Sequence, residues 1–172
     1  MTAPSGKTRD SAHVLVVDDL EVNRDLLARR VQRLGHSIAF AVSGREALER
    51  LRSARFDLVL LDITMPDMDG YEALAQIKAD PLLACIPVVM VTAIDGVESV
   101  VRCLELGAED YITKPFNPVV LRARIESSLN DRIIELSGHT HAGTLDRFGA
   151  ELGGDVERHG VEAVVGDVHD HA

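Results

Sequence analysis

The chain has 172 residues, enough for one domain and an appendage, and 46% are hydrophobic against 27% charged, an ordinary balance for a globular protein. Its formal net charge of -10 argues against direct contact with DNA, RNA or an anionic membrane surface, and no apolar run approaches the ~20 residues of a spanning helix. The opening MTAPSGKTRDSA has no apolar stretch of the kind a secretory signal needs, so residues 1–12 are expected to be a flexible lead-in and the protein cytoplasmic.

Taken in chain order, the first apolar run is HVLVVDD (13–19), which ends on two acids. Leu27, Val31 and Leu34 then keep helical spacing up to Gly35, a residue type suited to a helix C-terminus. HSIAFAV (36–42) is the second run. Ser43 and Glu46 have the spacing of a capping box, and Ala47, Leu48 and Leu51 continue as the apolar face of a helix. FDLVLLD (56–62) breaks into a turn shaped by Asp67, Asp69 and Gly70, with Met65, Pro66 and Met68 read as packing.

Leu74 and Ile77 mark the next helix, and IPVVMVT (86–92) the fourth run. Val97, Val100, Val101 and Leu104 form an apolar stripe ending before Gly107. After the weaker run DYIT (110–113), Asn117-Pro118 reads as an N-cap with proline at the first helical position, ahead of Leu121, Ile125 and Leu129. Cys85 and Cys103 lie in apolar segments and are expected to be small core residues in a reducing compartment, in preference to a disulfide or a metal pair.

Near-continuous apolar runs imply strands covered on both faces, which requires a parallel sheet with right-handed helical crossovers. The expectation is an α/β fold, a (βα)5 doubly wound five-stranded parallel sheet in the order 2-1-3-4-5, over residues 13–130. Residues 131–172 differ in texture. They hold seven of thirteen glycines and five of seven histidines, with a net charge of -6. The last helix is expected to continue through Ile133, Ile134 and Leu136 until Gly138 stops it, with a short amphipathic piece at Leu145, Phe148 and Leu152 and weak order beyond Gly153. The histidines of HTH (139–141) and HDH (169–171) suggest a metal site less than they suggest a solvated acidic tail.

In such a sheet, ligands bind outside the carboxyl ends of the strands. Those ends carry Asp18 and Asp19, then Asp62, then Thr92, with Lys114 just beyond the fifth strand. Each residue alone has a bland reading: Asp18 or Asp19 as a helix N-cap, Thr92 as a strand residue, Lys114 as a loop lysine. Together they are harder to dismiss. Two carboxylates ~5 Å apart at an effective dielectric of ~20 repel by roughly 3 kcal/mol, so three need a cation or a shared proton. Oxygen ligands that leave room for water suit Mg²⁺ (or Mn²⁺) better than zinc. Acids, a hard cation, an amine and a hydroxyl are the parts phosphoryl transfer needs, with Asp62 as nucleophile.

VVDD, LLDITMPDMDG, VTA and ITKPF, in that order and spacing, resemble the receiver domain of two-component response regulators, the chemotaxis-regulator-like superfamily with its flavodoxin-like sheet. The resemblance implies that Asp62 accepts a phosphoryl group from a histidine kinase or phosphotransfer protein. It implies direct Mg²⁺ ligation by Asp19 and Asp62, with Asp18 through water and the Thr64 backbone carbonyl as a further ligand. Lys114 would pair with Asp62 and then with the phosphoryl oxygens, and the peptide before Pro115 would be cis. Thr92 and Tyr111 resemble the switch pair, Thr92 moving toward the phosphoryl group and Tyr111 turning into the vacated space. Thr64 and Ile94 occupy positions that tune acyl-phosphate hydrolysis.

Output is expected through protein contact at the surface of the fourth helix, fifth strand and fifth helix, with a phosphorylation-dependent homodimer and no DNA contact. The alternatives are a docking module independent of phosphorylation and a phosphatase working through an aspartyl intermediate. The phosphatase reading is weakened because Thr64 stands where such enzymes place a second aspartate. The segment from Ala93 to Leu129 also resembles receivers that precede nucleotide cyclase or phosphatase effectors, so the chain either acts alone or is part of something larger.

Overall fold

The computed structural model describes residues 11–93 and 96–145, with side chains as far as residue 131. Ile94, the amphipathic piece beyond Leu145 and the HDH histidines lie outside these residues, as does most of the lead-in. The chain divides into two compact units, Met1–Leu136 and Ser137–Ala172, and the described part of the second is helical.

Among the described residues, five strands and five helices alternate. They are β1 (His13–Val17), α1 (Glu21–Arg33), β2 (Ser37–Ala41), α2 (Gly44–Ser53), β3 (Leu58–Asp62), α3 (Gly70–Ala79), β4 (Val88–Thr92), α4 (Val97–Glu105), β5 (Asp110–Thr113) and α5 (Pro118–Leu145). The strands form one parallel sheet in the order β2-β1-β3-β4-β5, as the run pattern predicts. Side chains alternate between the two faces of each strand. Leu15, Val17, Val59, Leu61 and Met90 pack with α2, α3 and Cys103, while Val14, Val16, Leu58, Leu60, Val89 and Val91 pack with Leu27, Val31, Leu121 and Ile125 of α1 and α5. Every residue of β3 and β4 is therefore buried.

Local signals set the ends of the elements. Gly35 and Gly107 follow the C-caps of α1 and α4 with φ of 90° and 94°, a conformation that costs residues with a Cβ. The Asn117 side chain accepts from the Val119 amide and opens α5. Ser43 accepts from the Glu46 amide, but the Glu46 carboxylate takes the Val42 amide instead of closing the reciprocal box. The complete capping box stands at Asp69 and Glu72, opening α3.

Four expectations are corrected. α5 runs through Gly138 to Leu145, since an isolated glycine costs a helix only ~1 kcal/mol. Cys103 is buried but Cys85 is exposed, and both are free thiols. The carbonyls flanking Cys85, those of Ala84 and Ile86, both accept from the Lys78 ammonium and leave the thiol facing outward. Burial holds the Lys78 pKa below its ordinary value. Pro66 is exposed, while Met65 is buried and Met68 half-buried beside it.

The fourth correction concerns α4. Val97, Val101 and Leu104 are exposed, at 79%, 43% and 48%, and Cys103 is the helix's buried residue. Cys103, with Leu106 just past the helix, packs into the core, so most of the helix's apolar stripe faces solvent.

Candidate functional site

Strand ends bring the site together. In the parallel register Val17 of β1 pairs with Leu61, Asp62 with Val91, and Thr92 with Thr113. The residues just past Val17, the last residue of β3, the last of β4 and the loop after β5 therefore meet along one rim. The carboxylates of Asp18, Asp19 and Asp62 each offer an oxygen within 4.8 Å of the others.

Asp18 is fully buried and Asp62 5% exposed, whereas Asp19 is half-buried. Lys114 reaches into this cluster, its Nζ 2.8 Å from Asp18 Oδ2 and 3.2 Å from Asp62 Oδ1. Its backbone amide donates to the Thr92 carbonyl at 2.6 Å, and the Lys114–Pro115 peptide is cis. The loop after β5 is thereby tied to the end of β4, with the lysine aimed at the acids. Asp18, the nearer partner, shares the ammonium with Asp62.

Burial pushes the Asp62 carboxyl above the usual carboxylate value; Lys114 opposes this and the charge of Asp18 adds to it. Burial also works against the Lys114 ammonium, but the hydrogen bonds and fields of Asp18 and Asp62 outweigh it and raise the pKa. One ammonium thus faces three carboxylates, leaving an excess of negative charge in a half-buried rim. The donor set is all oxygen, which fits a hard divalent cation of the Mg²⁺ type. Asp18 already accepts from the Leu20 amide, Asn23 Nδ2 and Lys114 Nζ, which suits a role through water. Among the described residues no protein donor holds the Asp19 carboxylate, which suits direct ligation.

The N-cap alternative for the acids does not hold. α1 is capped by Leu20 without a side-chain bond, and Asp18 accepts the Leu20 amide two residues on, an Asx-turn that ends the strand.

Thr92 is 2% exposed at the end of β4. Tyr111 is half-buried against the core cluster of α2 to α4, and Met90 is its register partner. Thr64 is exposed in the loop after β3.

The sequence reading missed two features. Gly70 donates its amide to the Ile63 carbonyl at 2.8 Å, and a Cβ on it would lie 2.2 Å from the Asp62 carbonyl oxygen. The start of α3 therefore rests directly on the backbone of Asp62, which a turn glycine alone does not announce. Arg24 donates from Nη1 to the backbone carbonyls of Asp18 at 2.8 Å and Asp19 at 3.0 Å. Arginine five or six residues past an acid has no motif value by itself, so nothing in the sequence flagged it.

Comparison with known proteins places the sequence and fold in one family. The family described as Response regulator receiver domain matches residues 14–126. The sequence is similar to the transcriptional regulatory protein ZraR of Escherichia coli O157:H7, 41% identical over 142 residues, 83% of this chain and 32% of that protein. It is also similar to the response regulator PleD of Caulobacter vibrioides, 39% identical over 124 residues, 72% of this chain and 27% of that protein. The fold is similar to the crystal structure of the signal receiver domain of a signal transduction histidine kinase from Syntrophus aciditrophicus. That structure superposes with a TM-score of 0.66 at 36% identity, over 70% of this chain and 92% of the other. The chain spans less than half the length of these curated relatives.

Proposed function

The chain belongs to the response regulator receiver domain family, and from that premise we propose that Asp62 takes a phosphoryl group from the phosphohistidine of a sensor kinase or phosphotransfer protein. The observation that carries this reading is the Lys114 ammonium hydrogen-bonded at once to Asp18 and Asp62, beside the three clustered carboxylates. An Asp62 carboxylate oxygen forms the bond to phosphorus as the P–N bond breaks, and the departing imidazole keeps the electron pair and takes up a proton. Asp19, Asp62 and the Thr64 carbonyl would hold Mg²⁺ directly and Asp18 through water. The bound cation would supply positive charge to neutralise the acids and the transferring oxygens. Lys114 sheds part of its pairing with Asp62 and follows the phosphoryl oxygens, while its bond to Asp18 keeps it in place.

Phosphorylation adds about two negative charges and new acceptor oxygens to the rim. Thr92, ending the neighbouring strand, donates to one of them, and the half-buried Tyr111 ring turns inward. Thr64 and Ile94 set how readily water reaches the acyl phosphate. Signalling then passes through α4, β5 and α5 to a protein partner or a second copy of the chain. The exposed Val97, Val101 and Leu104 supply apolar surface for that contact.

Receiver domains are signalling modules, and this chain acts in the cytoplasm as one. Among the described residues no helix is long and apolar enough to cross a membrane. The test is a mobility-shift gel with a phosphate-binding additive after incubation with acetyl phosphate and Mg²⁺. A shifted band that Asp62→Ala abolishes is expected; no shift with any phosphodonor would leave a docking module in its place.

A further inference from the structure

We infer that Arg24 is a positioning residue for the cation-binding acids, holding the backbone that aims Asp19 at the site. This rests on the phosphotransfer reading above and adds a residue that the reading does not use.

Arg24 lies in the first turns of α1 and is half-buried. Its Nη1 carries two hydrogens and spends them on two successive carbonyls, those of Asp18 and Asp19, at 2.8 Å and 3.0 Å. Those carbonyls belong to the two peptide planes that flank the Asp19 Cα, where β1 has ended and α1 has not begun. Neither sheet nor helix orients the backbone there; the Asx-turn bond from the Leu20 amide to Asp18 Oδ1 holds the second plane by its N–H edge, and Arg24 holds both by their carbonyls. Fixing both planes fixes the direction in which the Asp19 side chain leaves the chain.

The two acids differ in how much they need this. Asp18 is held through its own carboxylate, by the Leu20 amide, Lys114 and Asn23 from the same turn as Arg24. Asp19 has no such bond among the described residues, so its aim depends on the backbone beneath it. α1 thus reaches back with two side chains, Asn23 onto the carboxylate of Asp18 and Arg24 onto the main chain of both acids.

A plain charge effect would act in the opposite direction. A guanidinium near a cation site repels the cation, so deleting it for electrostatic reasons alone would tighten binding. A positioning role predicts weaker binding, because groups that orient the metal's ligands are worth roughly 10–100-fold in metal affinity. The sign of the change separates the two.

The experiment measures Mn²⁺ binding to the full chain by electron paramagnetic resonance titration, with circular dichroism and melting in a chelator to establish folding. Arg24→Leu keeps the apolar stem and removes the donors; its dissociation constant is expected to rise about 10-fold or more. Arg24→Gln is the milder second substitution, expected to change in the same direction if the leucine variant does not fold. A constant equal to or below that of the unsubstituted chain, in a folded variant, would overturn the inference. Asp19→Asn is the control for the underlying reading. If it too left Mn²⁺ binding unchanged, the cation site itself would be wrong, whereas loss with Asp19→Asn alone would remove only the role of Arg24.

Discussion

Gly70 and the carbonyl of Asp62 are in such close approach that a methyl group on Gly70 would sit 2.2 Å from the Asp62 oxygen and 2.7 Å from the Ile63 Cα. Both obstacles are backbone, so neither can rotate away. Gly70→Ala must displace either the start of α3 or the end of β3. Overpacking of this kind costs roughly 1–3 kcal/mol, and more when backbone is the obstacle. Urea unfolding is expected to show that loss, together with reduced labelling by acetyl phosphate because the displaced residue is the proposed acceptor.

Lys114→Met leaves the fully buried Asp18 without its cation. Breaking a buried ion pair from one side costs about 3–5 kcal/mol, and the 17% exposure of the Lys114 side chain places the effect near the lower figure. Thermal melts should therefore fall markedly in a chelator and recover in part on adding Mg²⁺, since a bound cation replaces some of the missing charge.

Asp62→Asn is expected to stabilise the protein at pH 7 without divalent cations. The Asp62 carboxyl is pushed up by burial, so the folded state binds its proton more tightly than the unfolded chain does. Its contribution favours the fold below the unfolded value of ~4 and is lost as pH rises through the higher folded value. Melts in a chelator between pH 4 and pH 8 should show the asparagine variant ahead at neutral pH, with the gap closing toward the acid end.

Thr92→Ala separates phosphorylation from switching. Thr92 is buried at the end of β4, and on the proposed reading its hydroxyl is the donor to the phosphoryl group that distinguishes the two states. A ligand shifts an equilibrium only by its difference in affinity for the two states. Beryllofluoride should still bind, while the amide chemical-shift changes it induces at Tyr111 and along α4 should shrink.

Leu104→Asp tests the use of the exposed apolar line on α4. Leu104 is 48% exposed, so the fold should tolerate the change within about 0.5 kcal/mol. Light scattering with beryllofluoride is expected to show a mass increase for the unsubstituted chain and none for the variant. An unchanged mass in both would remove self-association through this face.

The sequence by itself determined the sheet, its order and the rim at which the polar groups meet. Apolar runs of strand length that alternate with helical patterns suit strands buried on both faces, and parallel connectivity then places Asp18, Asp19, Asp62, Thr92 and Lys114 at the same ends. Those inferences rest on periodicity and chain order, which are local properties. Only the tertiary structure decided the rotation of α4, the exposure of Cys85, the contact of Gly70 with Asp62 and the grip of Arg24 on two carbonyls. An apolar stripe says that a helix has a side to bury, and whether it does so depends on what the sheet presents beneath it. A glycine or an arginine states no partner, because the atoms it touches are brought there by other parts of the chain.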